Sequence, residues 1–260
     1  MTRVQPGRDA PLPLRVTFLG HATVLLELDG VRLMTDPVLR GWIGPLRRRG
    51  GPIHPSWIQS LDAVLISHTH MDHLDLGSLA LLPRNLRLFL PHEAARVVRR
   101  LGFQHVEEQS PGDTGEVGPL HLTATYARHV STRLPFGTAA ECLGFVVEGA
   151  RRVYFAGDTG IFAEMSNLSD RLDLALLPVW GWGPRLGPHH MNPFQAAQAL
   201  QLLRPRVAVP IHWGTLHPLG MGRTRPNFLR MPPGEFAEHA ALLAPEVDVR
   251  VLNPGEVTRL

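Results

Sequence analysis

The chain has 260 residues, of which 44% are hydrophobic and 19% are charged. This balance excludes a disordered or fibrous protein and predicts a folded protein with a substantial core. The formal net charge is only +3, and all 26 basic residues are arginine, which does not deprotonate and so keeps the pI near 9.9. Because the arginines are scattered, the high pI does not by itself predict a nucleic-acid-binding protein.

The expected compartment and domain organisation follow from what the sequence lacks. One cysteine excludes an internal disulfide. No apolar run reaches the roughly 18 residues of a membrane span, and residues 1–15 lack the apolar stretch of a secretory signal. We therefore expect a cytoplasmic protein without stable membrane insertion, a description that is compatible with a homo-oligomer. Residues 1–260 are predicted to form one domain, in which residues 1–13 are a flexible N-terminal segment.

The first half of the chain predicts an antiparallel meander followed by alternating strands and helices. Its first three apolar segments are typical of strands, and Asp29-Gly30 between the second and third is a strong hairpin signal. The next apolar run is continuous, which favours a strand covered on both faces. The predicted elements are strands at residues 15–20, 23–28, 31–36 and 62–67, a short helix at 76–82, a strand at 86–91 and a helix at 92–102.

The second half repeats this alternation. A helix at residues 192–205 is indicated by Asn192 at its cap, a proline in its first turn and Pro205 beyond its end. A final helix at 234–243 and a terminal hairpin within 247–259 complete the chain. The other predicted elements are strands at residues 121–127, 143–149, 151–157, 172–178 and 206–212. Two such halves indicate an α/β protein in which two sheets pack face to face with helices outside.

The segment "HTHMDH" follows the predicted strand at residues 62–67 and concentrates metal-binding side chains. Because side chains alternate along an extended chain, His68 and His70 project in the same direction and can bind one ion. Asp72 and His73 follow as a second pair, with one oxygen and one nitrogen ligand. This set suits a borderline divalent cation such as zinc better than calcium or magnesium, which prefer oxygen alone.

The form H-x-H-x-D-H resembles the metal motif of the metallo-β-lactamase fold hydrolases. With it, the segments "FLGHATVLLELDGVRLMTDPVL", "FAGDTGIF" and "IHWGT" resemble the branch that includes N-acyl phosphatidylethanolamine phospholipase D and L-ascorbate-6-phosphate lactonase. These segments extend over residues 18–215, most of the chain. The resemblance implies an α/β fold of the metallo-β-lactamase type, a four-layer αββα sandwich of two packed mixed sheets with helices outside.

The same resemblance implies a dinuclear site. One metal would be held by His68, His70 and His129, the other by Asp72, His73 and His212, with Asp158 between them. The implied cofactors are two divalent ions, zinc first and manganese or iron as alternatives. A hydroxide bridging the metals would cleave an ester-type bond, a phosphodiester or lactone of a small anionic molecule, and Asp72 and Asp158 would act in catalysis through that hydroxide.

Candidate substrate residues come from segments near the predicted ligands. His21 in "GHAT" lies at a strand end, where we expect it to support a ligand or line the site rather than serve as an ordinary turn residue. His190, and less strongly His189, precede a predicted helix N-terminus at which an anionic group could bind. Trp180 and Trp182 are candidates for the pocket wall, with packing of their long loop as the equal alternative.

Two other functions remain open at this stage. A metal-dependent nuclease of the same fold is favoured only by the pI, and the sequence shows no insertion or basic arm that would clamp nucleic acid. A redox or inactive binding protein would be expected to depart from the H-x-H-x-D-H pattern, whereas all seven implied ligands are present. The cluster Arg47 to Arg49 could attract a phosphate, although a solvated loop is the stronger interpretation.

Overall fold

The computed structural model describes residues 13–50, 53–132, 139–168, 171–181 and 186–260. The segment predicted to be a flexible N-terminus, residues 1–13, lies outside this part of the chain except for its last residue. That residues 1–260 form one domain stays a prediction.

The first half builds a seven-stranded sheet in the order β19-β1-β2-β3-β6-β7-β8, with the C-terminal strand β19 at one edge. Strands β1 to β3 are antiparallel, and β3, β6, β7 and β8 are parallel. The strands of this half are β1 Arg15–Gly20, β2 Thr23–Leu28, β3 Val31–Thr35, β4 Trp42–Ile43, β5 Leu46–Arg48, β6 Ala63–Leu65, β7 Arg87–Pro91 and β8 His105–Gln109.

The second half builds another seven-stranded sheet, in the order β18-β16-β15-β14-β13-β10-β9. Strands β9, β10, β13 and β14 are antiparallel, and β14, β15, β16 and β18 are parallel. Strands β11 and β12 form a separate pair, β17 pairs with β5, and β19 belongs to the first sheet. The strands from residue 114 onward are β9 Thr114–Val117, β10 Leu120–Tyr126, β11 Ser131–Thr132, β12 Ala139–Ala140, β13 Leu143–Glu148, β14 Arg152–Phe155, β15 Leu174–Pro178, β16 Val207–Ile211, β17 Leu216–Pro218, β18 Asp248–Val249 and β19 Val257–Arg259.

Helices lie on the outer faces of the two sheets. Helix α2 packs against β7 and β8, whereas α3 and α5 pack against each other and against β15 and β16. This arrangement confirms the predicted αββα layers. The helices are α1 Leu76–Leu79, α2 His92–Arg99, α3 Pro193–Leu203, α4 Met221–Thr224 and α5 Pro232–Leu243, and short 3-10 turns span Pro55–Ile58, Ala163–Asn167, Gly187–His189 and Pro226–Leu229.

The first sheet is buried on both faces, as the continuous apolar runs predict. Along β6 and the residue after it, Ala63 and Leu65 belong to the core between the sheets, while Val64 and Ile66 belong to a second core. That second core also contains Ala94 on the inner side of α2. Because successive side chains point to opposite faces of the sheet, one strand contributes residues to two cores.

Local signals are confirmed where the chain turns or begins a helix. Asp29 and Gly30 have φ values of 50° and 83°, as a two-residue hairpin between β2 and β3 requires. Asn192 and Gln195 form a reciprocal capping box at the start of α3, and Arg204 ends that helix in the left-handed region.

The predicted terminal hairpin is wrong. Strand β18 pairs in parallel with β16, and β19 pairs antiparallel with β1, so the two strands belong to different sheets. Each sheet has an edge that needs a partner, and the C-terminal segment supplies one strand to each. Strands β8 and β9 escaped prediction because their sequences, "HVEEQ" and "TGEV", are mostly polar and lie at or near sheet edges.

None of the helices in the described ranges combines the length and the apolar character that crossing a membrane requires.

The strand ends of both sheets position Asp36 and several of the predicted ligands. Asp36 follows β3, His68 follows β6, His129 follows β10, Asp158 follows β14 and His212 follows β16. Each of these residues comes shortly after the carboxyl end of its strand, the end at which open α/β sheets place their ligand-binding residues. The fold thus brings residues separated by up to 176 positions to one edge, as Asp36 and His212 are.

Replacing Leu176, which is fully buried in the inter-sheet core on β15, should destabilise the protein strongly. We expect Leu176→Ala to lower the free energy of unfolding by about 2 to 5 kcal/mol, because the lost methyl groups leave a cavity. Chemical denaturation measures this, and Leu242→Ala on α5 is the control, since Leu242 is 80% exposed and should change stability by less than about 0.5 kcal/mol.

Candidate metal centre

The side chains predicted as ligands lie together between the two sheets. Their nitrogen and oxygen atoms form overlapping groups in which every atom is within 4.8 Å of the others. The groups are His68, His70 and His129; His21, Asp72, His73 and His212; His68, His73 and Asp158; and His129, Asp158 and His190. Each group has the size of a divalent metal site; three of them combine nitrogen and oxygen donors, and the group of His68, His70 and His129 offers nitrogen alone.

Three imidazoles form one side of the cluster. His68 Nε2 lies 2.9 Å from His70 Nδ1, and His129 Nε2 lies 3.2 Å from the same His70 atom. His68 is fully buried, while His70 and His129 are partly exposed. Two of these residues come from the turn after β6 and one from the segment after β10, so both sheets contribute.

Asp72, His73 and His212 form the other side. Asp72 Oδ2 lies 3.5 Å from His73 Nε2 and 3.6 Å from His212 Nε2. The same carboxylate oxygen lies 2.9 Å from Nε2 of His21. All four side chains are buried.

Asp158 lies between the two sides. Its Oδ2 atom is 3.4 Å from His73 Nε2 and 3.2 Å from His212 Nε2. Asp158 also belongs to a group with His68 and to a group with His129. Among the carboxylates of the described residues, it is the one whose donor groups include members of both sides, which is the position the resemblance predicts for it.

Hydrogen bonds from Nδ1 to backbone carbonyls orient two of the imidazoles. His129 Nδ1 lies 2.8 Å from the His189 carbonyl oxygen, and His212 Nδ1 lies 2.5 Å from the Trp180 carbonyl oxygen. A carbonyl oxygen can only accept, so each Nδ1 carries the proton and donates it. In the neutral ring, Nε2 then has a free lone pair facing the cluster, which is the form that binds a metal.

Asp36 performs the same task for His73. Its Oδ2 atom lies 2.6 Å from His73 Nδ1, and its two oxygens also accept hydrogen bonds from the backbone N–H and the hydroxyl of Ser67. The carboxylate is completely buried. This contact fixes the ring of His73 and leaves its Nε2 pointing towards Asp72 and Asp158.

The backbone at the site adopts unfavourable conformations. His21, Asp36 and His212 have φ values of 60°, 34° and 61°, in the region that side-chain-bearing residues rarely occupy. The turns of His21 and His212 are joined, because the His212 N–H donates to the His21 carbonyl at 2.8 Å. Thr215 Oγ1 in turn accepts from the His21 N–H at 3.1 Å. Strain concentrated in this way is typical of functional sites.

Burial sets the protonation of the three-imidazole side. Burial lowers the pKa of His70 and of His129, and it holds the pKa of His68 well below its usual range, with nearby imidazoles acting in the same direction. These rings are therefore neutral near pH 7. Neutral imidazole is the ligand form, so no proton has to be removed when a metal binds there.

On the other side, carboxylate charge outweighs burial. Burial alone would lower the pKa of His212, but Asp158 and Asp72 raise it to about 9. The pKa of His73 is likewise raised well above its usual range by Asp158, Asp72 and Asp36, despite burial. In return, the imidazoles hold the pKa of Asp158 well below its usual range although burial opposes this. Carboxylates that stabilise protons here also stabilise a metal cation.

The unsatisfied atoms of the cluster fit a metal. His73 Nε2 and Asp158 Oδ1 are buried and make no hydrogen bond with any described residue. A buried polar atom left in this way is costly unless it has a partner. Both atoms belong to residues of the overlapping donor groups, so a divalent cation bound there would satisfy them.

The predicted substrate residues occupy different surroundings. His190 is partly exposed, its Nδ1 lies 3.6 Å from Asp158 Oδ2, and burial lowers its pKa to about 4. His189 contributes its carbonyl to His129. Trp180 is buried and contributes its carbonyl to His212, while Trp182 lies outside the described residues. His21 is 1% exposed and contacts Asp72, so it faces a predicted ligand rather than solvent.

Several contributors to the site escaped prediction from the sequence. The carbonyls of Trp180 and His189 orient two histidines, and no residue pattern indicates which carbonyl will do so. Thr215 fixes the His21 turn through its hydroxyl. Ser67 is adjacent to the motif, and its hydroxyl lies 2.9 Å from His68 Nδ1. Its place directly before "HTHMDH" is the one local signal that could have indicated it.

Comparison with known proteins adds family information to this geometry. The family model described as Beta-lactamase superfamily domain matches residues 31–213, which include all seven predicted ligands. A UPF0173 metal-dependent hydrolase from Methanopyrus kandleri is 33% identical over 249 residues, covering 94% of this chain and 98% of that protein.

Two further matches extend the comparison. An N-acyl-phosphatidylethanolamine-hydrolyzing phospholipase D from Caenorhabditis elegans is 33% identical over 233 residues, covering 80% of this chain and 65% of the worm protein. A solved metallo hydrolase from the archaeon Ignicoccus hospitalis is 28% identical with a TM-score of 0.73, covering 96% of this chain and 99% of that one.

Replacing Asp36 tests the arrangement of His73. Asp36→Asn keeps the size of the side chain but removes the negative charge and one of its acceptor oxygens. We expect the affinity for zinc to fall about 10- to 100-fold, because ligand orientation is lost. Competition with a chromophoric chelator measures this affinity, with Asp248→Asn at an exposed position as the matched control. Unchanged affinity in a folded Asp36→Asn protein would contradict the assignment.

Proposed function

The chain belongs to the beta-lactamase superfamily and is a metal-dependent hydrolase of the metallo-β-lactamase fold, and on that premise we propose its finer activity. The cluster holds two divalent cations, zinc first and manganese or iron as alternatives. The enzyme hydrolyses an ester-type bond in a small anionic molecule. A phosphodiester is the first choice of bond and a lactone the second.

The observation that carries the proposal is the division of the cluster around Asp158. Three imidazoles lie on one side, and a carboxylate with two imidazoles lies on the other. Asp158 approaches members of both sides. One cation would leave donors of one side without a partner, whereas two cations with a shared carboxylate use them all.

When bound, a pair of divalent cations supplies an activated water near neutral pH and polarises the oxygen of the bond that breaks. The chain's own residues orient that chemistry. Asp36 and the carbonyls of Trp180 and His189 hold His73, His212 and His129, and the surrounding burial excludes bulk water. Asp72 is ionised, because nearby imidazoles hold its pKa well below its usual range although burial opposes this.

His190 is the proposed contact to the substrate. It is neutral near pH 7, partly exposed, and faces Asp158. A neutral imidazole at this position can donate a hydrogen bond from one ring nitrogen to a substrate oxygen and accept at the other. The substrate would thus approach the cluster past His190.

Arginines beside the His212 turn support an anionic substrate. Arg49 donates through Nη1 to the Gly214 carbonyl at 3.2 Å, and its backbone N–H donates to Thr215. The same surface carries further arginines of β5 and of the segment after β17. Within the described part of the chain, no carboxylate forms an ion pair with Arg47, Arg49, Arg223, Arg225 or Arg230. Their charge is therefore available to a phosphate or carboxylate.

The phosphodiester preference rests on the worm relative, whose name describes a phospholipase D. A phosphodiester also carries the negative charge that the arginines favour. We propose the cytoplasm as the location and small molecules rather than nucleic acid as substrates, because the arginines are scattered along the chain and the sequence shows no insertion or basic arm that would clamp nucleic acid. Cleavage of short nucleic acids in a substrate screen would instead favour a nuclease.

Hydrolysis of a small phosphodiester such as bis(4-nitrophenyl) phosphate tests the proposal. We expect activity that chelation abolishes and zinc or manganese restores, and a loss of at least about 100-fold in kcat/KM for His68→Ala and for His212→Ala, because each removes a ligand. His105→Ala, at an exposed position on β8, is the control. Full activity in either ligand variant would rule out the proposed centre.

Arg49 provides a test of the charge requirement. Arg49→Ala should raise KM for an anionic phosphodiester by about tenfold and leave KM for an uncharged lactone within about twofold, because only the first substrate uses the positive charge. Arg100→Ala, on the far side of the fold at the end of α2, is the matched variant. An equal effect of Arg49→Ala on both substrates would mean that the residue acts on structure and not on charge.

A further inference from the structure

A cavity of about 700 Å³ lies beside the metal centre, between the N-terminal ends of α3 and α5. One wall is the 3-10 turn Pro226–Leu229, and another is the segment around Trp180 and Leu186. Its volume lies within the range of pockets that enclose a small organic ligand, roughly 300 to 1,000 Å³. None of the seven predicted metal ligands lines it.

The cavity and the metal centre share their dividing wall. Trp180 lines the cavity, and its carbonyl holds His212 on the other side. Gly187 also lines the cavity, and two residues later His189 holds His129 through its carbonyl. His190 follows, facing Asp158. Trp180 thus contacts both the cavity and the cluster, and the partly exposed His190 lies in the sequence between two residues that line the cavity, Gly187 and Asn192.

The position of the His190 ring depends on the glycine at residue 181. A Cβ atom at Gly181 would lie 3.2 Å from the His190 ring, tighter than most contacts of real Cβ atoms. Glycine at this position therefore lets the imidazole lie directly against the backbone that follows Trp180. The His190 ring is held between this backbone and Asp158.

The described lining of the cavity is predominantly apolar. Phe194, Phe228 and Met231 contribute side chains, together with Trp180 and prolines at the starts of α3 and α5. Asn192 and Gln195 also line it, but they hydrogen-bond to each other's backbone in the capping box. An apolar group would gain most from this environment, because burying polar groups without partners is costly.

Charge separates the cavity from the surface beside it. Its described lining contains one carboxylate, Glu235, and no arginine, and the chain has no lysine. Arginines with no carboxylate partner among the described residues include Arg49, which contacts Gly214 after the His212 turn, and Arg225, which stacks on Phe228. An anionic group is therefore favoured outside the cavity and an uncharged group inside it.

We propose that this cavity binds an uncharged apolar group of the substrate, aryl or alkyl, while the anionic reacting group lies at the metal centre beyond His190. The substrate class is then an amphiphilic ester with its charge at the bond that breaks. This inference rests on the proposed function, because only that function makes the bound molecule a substrate. The cavity's preference for an apolar ligand can nevertheless be measured without catalysis.

Direct binding is the first test. The probe is 4-phenyl-1-butanol, an uncharged molecule with an aryl and an alkyl part, titrated into protein carrying ¹³C-methyl methionine. We expect a saturable shift of the Met231 methyl signal, because Met231 lines the cavity, and no shift of Met165, which is buried elsewhere in the core. Absence of a saturable Met231 shift would overturn the inference.

A variant that fills the cavity sharpens this test. Met231 is 48% exposed at the start of α5, so Met231→Trp should fold and place an indole over the opening. We expect it to weaken binding of the probe at least about tenfold. Leu242→Trp, on the same helix and 80% exposed, is the matched control and should bind as the unaltered protein does. Equal binding by both variants would place the probe elsewhere.

Catalysis separates this inference from the proposed function. Among 4-nitrophenyl phosphodiesters, the 4-phenylbutyl ester should exceed the methyl ester in kcat/KM by at least about tenfold, and Met231→Trp should remove that advantage. If the probe binds but neither ester is hydrolysed, the cavity remains a site for apolar groups and the phosphodiesterase proposal fails. If both esters are hydrolysed equally and the probe does not bind, the cavity inference alone fails.

Discussion

The site depends on compensating the negative charge of Asp72 and Asp158, two carboxylates buried between the sheets. An ionised carboxylate is costly in such surroundings unless positive charge or hydrogen bonds offset the cost. Imidazoles surround both groups. The carboxylates raise the pKa values of His73 and His212. Burial lowers the pKa values of His68 and His70, which lie farther from the carboxylates. The proposed pair of divalent cations would compensate the same charge while leaving every imidazole neutral.

That constraint explains features of the fold that stability alone would not favour. The two sheets must meet at the carboxyl ends of their strands, because β6 and β10 supply one side of the cluster and β14 and β16 complete the other. His21 and His212 adopt left-handed backbone conformations at the turns where the sheets are joined. Such conformations persist only where surrounding contacts determine them. Here the hydrogen bond from His21 to Thr215 and the one between the two turns do so, and the result is a rigid set of donors.

The part of this arrangement that is local could be predicted from the sequence. Alternation along the strand places His68 and His70 together, and Asp29-Gly30 and Asn192 set a hairpin and a helix start by their own chemistry. The distant ligands were indicated by resemblance, and the fold brings them to the same edge. Contacts made by backbone carbonyls, such as that of the Trp180 carbonyl with His212, cannot be predicted from residue type, because every residue has a carbonyl. The pairing of β18 and β19 with different sheets also depends on which edges are left open, which no local pattern records.

We propose a division of labour between a charged reaction centre and an apolar cavity beside it, with His190 as the contact to the substrate. The central claim is that the donors around Asp158 form a dinuclear centre, and metal stoichiometry tests it most directly. Protein saturated with zinc and freed of excess ion by gel filtration should contain two zinc ions per chain by inductively coupled plasma mass spectrometry. One ion or none per folded chain under those conditions would contradict the account.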